Sequence, residues 1–506
     1  MTRAEVFGIN IVIETDEPGL IRSFFEFTTR ELAFDYKTKT KRMMNIKRKI
    51  FNRTKKNQKT GTQYYEIGIG WAAYILGVLG PYLHVEDSER IKMAIYSPTS
   101  RSFPFPELRD YQNDDLLHIL KYRFGLCTVY TGYGKTTLIS TLTKYFAKDL
   151  CKKVLIVTPG TKARDEIVKR VKSMYGIDVS EKLGVGQIQA IITQGFLNQK
   201  IIKDKATEPQ VINELKSFDI VLSDEVEYCI NPAGDYIFSH ATNATHRYAF
   251  SGTADKGNGN MISFQNGLTD PSVASNTGLI KYFGPSLVYR KPLNRIVNLV
   301  NIYTTSLYKP SFRAIDLSNN KYLDAMTTLF TCPEVCNLIM EIVKRYKNLF
   351  IPINNLESII GTWIADYFLG RFRILLVCGD GYLYYDLQGN QSKLSLTEAC
   401  DYIRNDMVDV IPSTSSGFRA LDFPNLSNIL LFSGKIAGSV LQQIGRVARQ
   451  PEMTIITLRP DGKRRIPIYS KGCEEREKMI LEYYKYCDIR GFDINEIDFL
   501  QYPTIC

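Results

Sequence analysis

The sequence predicts an α/β protein: two tandem doubly wound parallel-sheet lobes preceded by a small, basic α+β domain. Three observations predict it. From about 107 to 295, short apolar runs (126–130, 154–158, 188–193, 220–223 and 248–251) alternate with helical stretches such as 135–148 and 162–175. That is the texture of a parallel sheet covered by helices on both faces. A second series begins near 300, with runs at 374–378, 408–411 and 429–432 interleaved in the same way. Ahead of both lies a segment of different texture, closed by the proline-bearing stretch 102–106, where Pro104 and Pro106 resist helix and central strand alike. The expected domains are therefore 1–105, a lobe over 106–298, a second lobe over 299–470, and a tail over 471–506 with a helix at 474–486 that packs on the second lobe.

Composition fits this organisation. The chain has 506 residues, of which 44% are hydrophobic and 23% charged, enough apolar material for several cores and too much for wholesale disorder. In the first segment Phe7, Ile9, Ile11 and Ile13 alternate as in a strand, and an apolar helix follows near 71–79. The longest uncharged stretch, 67–83, carries four glycines and Pro81, and is shorter than the roughly 20 residues needed to span a bilayer. No apolar signal core opens the chain. Ten cysteines contain no C-x-x-C pair and there are four histidines, so no zinc constellation forms and free thiols are expected. A soluble, intracellular protein is expected, without a membrane partner.

Charge is concentrated. Between Lys37 and Lys59 stand eleven cations and no acid, as many as the whole net charge of +11. They include Lys47, Arg48, Lys49, Arg53, Lys55 and Lys56. Such a run draws a polyanion and releases counterions on contact with phosphates, or it is simply a solvated basic loop. The run alone leaves both readings open, as well as the choice between a folded hairpin and a loose tether.

Three motifs carry chemistry. Thr131-Gly132-Tyr133-Gly134-Lys135-Thr136-Thr137 follows an apolar strand and opens a helix. Gly132 and Gly134 permit a loop whose amides face phosphates, Lys135 reaches the β and γ phosphates of ATP, and the Thr136 hydroxyl holds Mg²⁺. Asp224-Glu225 ends the strand-like run 218–223. An acid pair so placed suits a metal-bound nucleotide, Asp224 toward Mg²⁺ and Glu225 as general base, although acid pairs are more often solvated turns. In 442–449, Arg446 and Arg449 are three apart and share one helix face, able to stabilise charge on a transferring phosphoryl group; two solvated arginines are the plain alternative.

Taken in order over about 107–455, these segments resemble the motifs of superfamily 2 helicases. The resemblance implies RecA-like lobes and further roles. Arg109 and Gln112 match the adenine-reading Q motif, with Gln112 bonding the base. Thr158, Pro159, Gly160 and Thr193 stand where two motifs of the first lobe grip a strand. Ser251 and Thr253 occupy the motif that couples hydrolysis to movement, and 374–378 resembles the fourth motif. Thr414 opens the fifth, and Gln442, Arg446 and Arg449 fit Q-x-x-G-R-x-x-R. Three positions depart from the pattern. Val129 replaces the small residue that usually opens the phosphate loop, Glu227 stands where His or Asp commonly ends the acidic motif, and Gly252 replaces alanine.

With its basic first segment, the layout is similar to the phage UvsW-type branch-migration helicases. That implies an ATP- and Mg²⁺-dependent motor on single-stranded, forked or four-way DNA, monomeric on its substrate, in a host cytoplasm. Its nucleotide would lie between lobes, with Arg449 as arginine finger. An RNA helicase, a duplex translocase or a non-hydrolysing clamp would use the same parts.

Overall fold

The computed structural model describes residues 2–35, 40–98, 101, 103–196, 208–252, 277–304, 330–353, 357–378, 381–414, 426–431, 444–445, 450–461 and 467–501; at 27–35, 40–48, 277, 357–358 and 467–471 it describes the backbone alone. Two compact units emerge, Met1–Val129 with Tyr133–Arg290, and Tyr130–Gly132 with Lys291–Cys506.

The first unit begins with strands β1 (Thr2–Phe7) and β2 (Asn10–Thr15). The alternation at 7, 9, 11 and 13 is thus not one strand but a hairpin, because Gly8 takes φ +55° and turns the chain. Ile11 and Ile13 are buried while Phe7 is exposed. Then come β3 (Glu26–Asp35), β4 (Thr40–Lys49), β5 (Phe51–Lys56) and β6 (Gln63–Gly68). An antiparallel sheet runs in the order β1-β2-β6-β5, and β3 and β4 pair separately. The basic run is therefore largely strand, and β5 is an edge whose Arg53, Lys55 and Lys56 are exposed. The helices Ala72–Leu79 and Val85–Ile95 cover this sheet.

This module and the parallel sheet behind it share a core. Ile11, Tyr65, Trp71, Ile75 and Ile91 pack in one cluster with Phe124 and Ile280. At the seam a Cβ on Gly70 would lie 1.7 Å from the Ile280 carbonyl oxygen, so only glycine permits this approach. Ser97 reaches across to His246 Nε2 at 2.8 Å.

Strands β7 (Phe124–Val129), β8 (Val154–Thr158), β9 (Ile188–Ile192), β10 (Ile220–Asp224), β11 (His246–Ser251) and β12 (Ser286–Arg290) form the parallel sheet in the order β12-β7-β11-β10-β8-β9. β7, β8, β10 and β11 are buried throughout. Their mostly apolar character reflects cover on both faces, with His246 and Arg247 of β11 as buried polar exceptions.

In the second unit, β13 (Ile296–Thr304), β14 (Leu349–Ile353), β15 (Ile374–Cys378), β16 (Gly381–Tyr385), β17 (Gln391–Leu394), β18 (Val410–Thr414), β19 (Asn428–Leu431), β20 (Glu452–Pro460) and β21 (Asp488–Asn495) make one sheet, ordered β17-β16-β15-β18-β14-β19-β20-β13-β21. From β15 to β21 it is parallel; β16 and β17 add an antiparallel margin. The tail is more than helical. After the helix Pro467–Tyr483, β21 extends the sheet beside β13, and the helix Glu496–Gln501 follows.

Candidate functional site

In the first unit Lys135, Asp224 and Glu225 stand at or just beyond the carboxyl ends of parallel strands, where such sheets bind ligands. β7 delivers the glycine loop. Gly132 and Gly134 take φ +90° and +102°, and Gly134 caps the helix Lys135–Lys144 with no side-chain bond to its first amides. The field at that helix end favours an anion. A Cβ at Gly134 would also lie 2.5 Å from Gln112 Nε2, and its φ is what demands glycine.

Two strands away, β10 ends in Asp224. Lys135 Nζ lies 3.4 Å from Glu225 Oε1, which brings the loop lysine and the acid pair together. Glu225 takes φ +44°, a left-handed conformation that a non-glycine residue adopts at a cost and that clusters at working sites. Asp224 is 7% exposed, and its Oδ1 has no hydrogen-bond partner. Burial first, then the Glu225 carboxylate, push its pKa up to about 7, with Lys135 opposing. A buried carboxylate oxygen left in this way fits a divalent cation, which would stabilise its charge. The Thr136 hydroxyl, at present donating to Glu166 Oε1 at 3.3 Å, is the second protein group suited to it. Among the described residues no group of three or more His, Cys, Asp or Glu could hold a metal, and a nucleotide-bound Mg²⁺ needs only one or two protein ligands. Thr131 and Thr137 flank the loop, both partly buried.

Gln112, the expected base reader, is bonded to the glycine loop and to its own helix N-terminus. It is 5% exposed; its Nε2 donates to the Tyr133 carbonyl at 2.7 Å and its Oε1 accepts from Arg109 N at 3.1 Å. The amide holds the glycine loop onto the helix Asp110–Ile119. The Arg109 guanidinium is turned to Tyr111 Oη at 2.8 Å.

The residues expected to grip a strand divide. Thr158 is fully buried, its hydroxyl directed to the Gly160 and Ile191 carbonyls at 3.2 and 3.4 Å, so it shapes the turn and offers no hydroxyl outward. Thr193 is buried too and accepts from Asn231 Nδ2 at 3.3 Å. Pro159 and Gly160 are partly exposed, and Gly160 is the N-cap of the helix Thr161–Tyr175, an end whose field favours a phosphate. Ser251 is buried at the end of β11, and Thr414 ends β18. Lys49 lies exposed, 3.5 Å from Glu26. Lys47 and Arg48 are placed in β4 by backbone only. Thr253, Gln442, Arg446 and Arg449 lie outside the described residues.

Sequence reasoning missed Glu166, Asp115 and Arg290. Glu166 touches Thr136 from a helix thirty residues on, and no spacing rule marks it. Asp115 and Arg290 are joined by a bidentate ion pair between residues 175 positions apart.

No protein-family model matches the sequence, and no curated protein matches it. Among solved structures the chain is similar to helicases. These include the crystal structure of T4 UvsW, at 14% identity and TM-score 0.39 over 98% of this chain and 99% of that one. A second is the UvsW helicase from bacteriophage T4, at 14% identity and TM-score 0.38 over 57% and 99%. The chain is also similar to Dbp5 of S. cerevisiae bound to RNA and ADP BeF3, at 14% identity and TM-score 0.49 over 79% and 93%. Among the described residues no helix is long and apolar enough to cross a membrane.

Proposed function

We propose that the chain is an ATP-driven DNA helicase or translocase that remodels forked or four-way DNA. One observation carries the motor: Lys135 of the glycine loop and the acid pair Asp224-Glu225 meet at the carboxyl ends of one parallel sheet. Lys135 neutralises phosphate charge and the first amides of its helix cradle the phosphate oxygens. Glu225 accepts the proton of the attacking water. Asp224 and Thr136 would hold Mg²⁺, which when bound offsets negative charge on the phosphates. Gln442, Arg446 and Arg449 stabilise charge on the transferring group, as the motif resemblance implies.

DNA as the polymer is supported by the exposed cations of β5 and by the helix end at Gly160. Branched DNA is supported by the likeness of the sequence layout to the UvsW-type family. The test is ATPase activity with single-stranded DNA, a fork, a four-way junction, plain duplex and RNA. DNA, and branched DNA most, should stimulate; stimulation by RNA alone would move the motor to the other polymer. Lys135→Ala should lower hydrolysis by on the order of a hundredfold or more and leave DNA binding intact. Equal loss of both would refute this division of labour.

A further inference from the structure

The residue between the two glycines of the phosphate loop needs no particular identity to bind phosphate, because backbone amides do that work. Here it is a tyrosine, 2% exposed, and it is held at four points, one of them its hydroxyl 3.1 Å from the Tyr111 carbonyl oxygen. Its carbonyl accepts from Gln112. Its ring meets that of Tyr111 edge-on, with centroids 5.1 Å apart. Its hydroxyl donates to Asp115 Oδ2.

Asp115 is itself buried, and Arg290 grips its carboxylate with two prongs: Nη2 to Oδ1 at 2.6 Å and Nε to Oδ2 at 3.1 Å. Arg290 ends β12, in register with Val129 of β7, after which the loop begins. A buried carboxylate needs such a partner. With the guanidinium in place it stays a strong acceptor for the tyrosine. Burial and the same carboxylate raise the Tyr133 phenol above its ordinary range, so the hydroxyl keeps its proton and donates.

We propose that Tyr133, Asp115 and Arg290 are positioning residues, a latch that presets the phosphate loop for a nucleoside triphosphate. The latch rests on the ATPase reading above. A loop with two glycines at positive φ has many conformations to lose on binding. Anchoring its central side chain removes that freedom before the phosphates arrive, which strengthens binding without touching the reacting atoms.

The test uses the full chain with Mg²⁺ and single-stranded DNA, and compares Y133F, D115N, R290Q and R290K with the double variant Y133F/D115N. Y133F, D115N and R290Q should each raise KM for ATP about tenfold, while kcat at saturation stays within about twofold, the pattern of lost uniform binding. The double variant should be no worse than the singles, because the residues act as one unit. R290K, which keeps the charge, should recover part of the loss of R290Q. A merely structural role would lower kcat and thermal stability together and leave KM unchanged, and that outcome, or losses that add, overturns the latch. Y133F removes one oxygen and keeps the ring, so it decides the matter even if D115N does not fold. A wild-type chain without ATPase removes the functional reading and the latch with it; an active wild type whose variants keep their KM overturns the latch alone.

Discussion

At Asp224 the first sheet ends in a charge that the fold alone does not satisfy. Its carboxyl is raised from 3.8 to about 7, chiefly by burial. The folded chain therefore holds that proton more tightly than the unfolded chain, and stability falls as pH rises from about 3.8 towards 7. At neutral pH without a cation the carboxylate destabilises the first unit. Asp224→Asn should accordingly melt higher than wild type in metal-free buffer, by about 2–4 °C for each kcal/mol relieved, and should lose ATPase activity. Adding Mg²⁺ should stabilise wild type and leave the variant where it was. Equal response of both to Mg²⁺ in a thermal scan would remove Asp224 from the cation site. The same residue shows what a sequence discloses at this scale. Lys135, Asp224 and Glu225 are legible because nucleotide chemistry demands those residue types after apolar strands. Glu166, Asp115 and Arg290 are not, since their partners lie on other elements at separations that no motif encodes. Gln112 is legible as a residue of this neighbourhood, yet its bonds to the loop backbone depend on a packing that only the fold sets.

Strands tell a parallel story. The buried parallel strands announce themselves as apolar runs, because both of their faces are covered. β17, with Gln391, Ser392 and Lys393 exposed, and the edge strand β21 carry no such signal, and pairing alone makes them strands. The turn at Gly8 is invisible to alternation, since apolar residues on both sides of a hairpin can keep period two. β11 adds a feature with a measurable consequence. It opens with His246, buried against Phe146 and Tyr248 and bonded to Ser97 and Thr245. Burial, helped by Arg123 and Lys152, lowers its pKa from 6.5 to about 4. Above pH 6.5 the ring is neutral whether the chain is folded or not, and it contributes no pH dependence. As pH falls from 6.5 towards 4 the unfolded chain takes up a proton that the folded chain refuses, and stability drops by up to about 3 kcal/mol. Denaturant titrations at pH 7 and pH 5 should therefore show a smaller acid loss for His246→Gln than for wild type. An identical loss would place the acid sensitivity elsewhere.

Across the whole molecule, the basic module is not an appendage of the first parallel sheet. Phe124 and Ile280 belong to the module's own apolar cluster, and Gly70 lets the backbones approach more closely than any side chain would permit. The composition shift near 102–106 reads as a linker, and within it Phe105 is buried while Phe103 is exposed. Removing residues 1–105 would thus strip apolar cover from β7, the strand that carries the phosphate loop, and would confound DNA binding with folding. Substituting Arg53, Lys55 and Lys56 together by Gln separates the two. These side chains are exposed on an edge strand, where they cost little stability when changed. Edge lysines also have a simpler use, in blocking strand pairing between molecules, and the same variant tells the two roles apart. If the edge pairs with phosphates, the slope of log binding constant against log salt should shrink by about 0.9 for each phosphate left without its cation, up to about 3 in all, with ATPase in the absence of DNA unchanged. If the cations serve only to keep the edge unpaired, the slope will stay as it was and the variant will aggregate as its concentration rises.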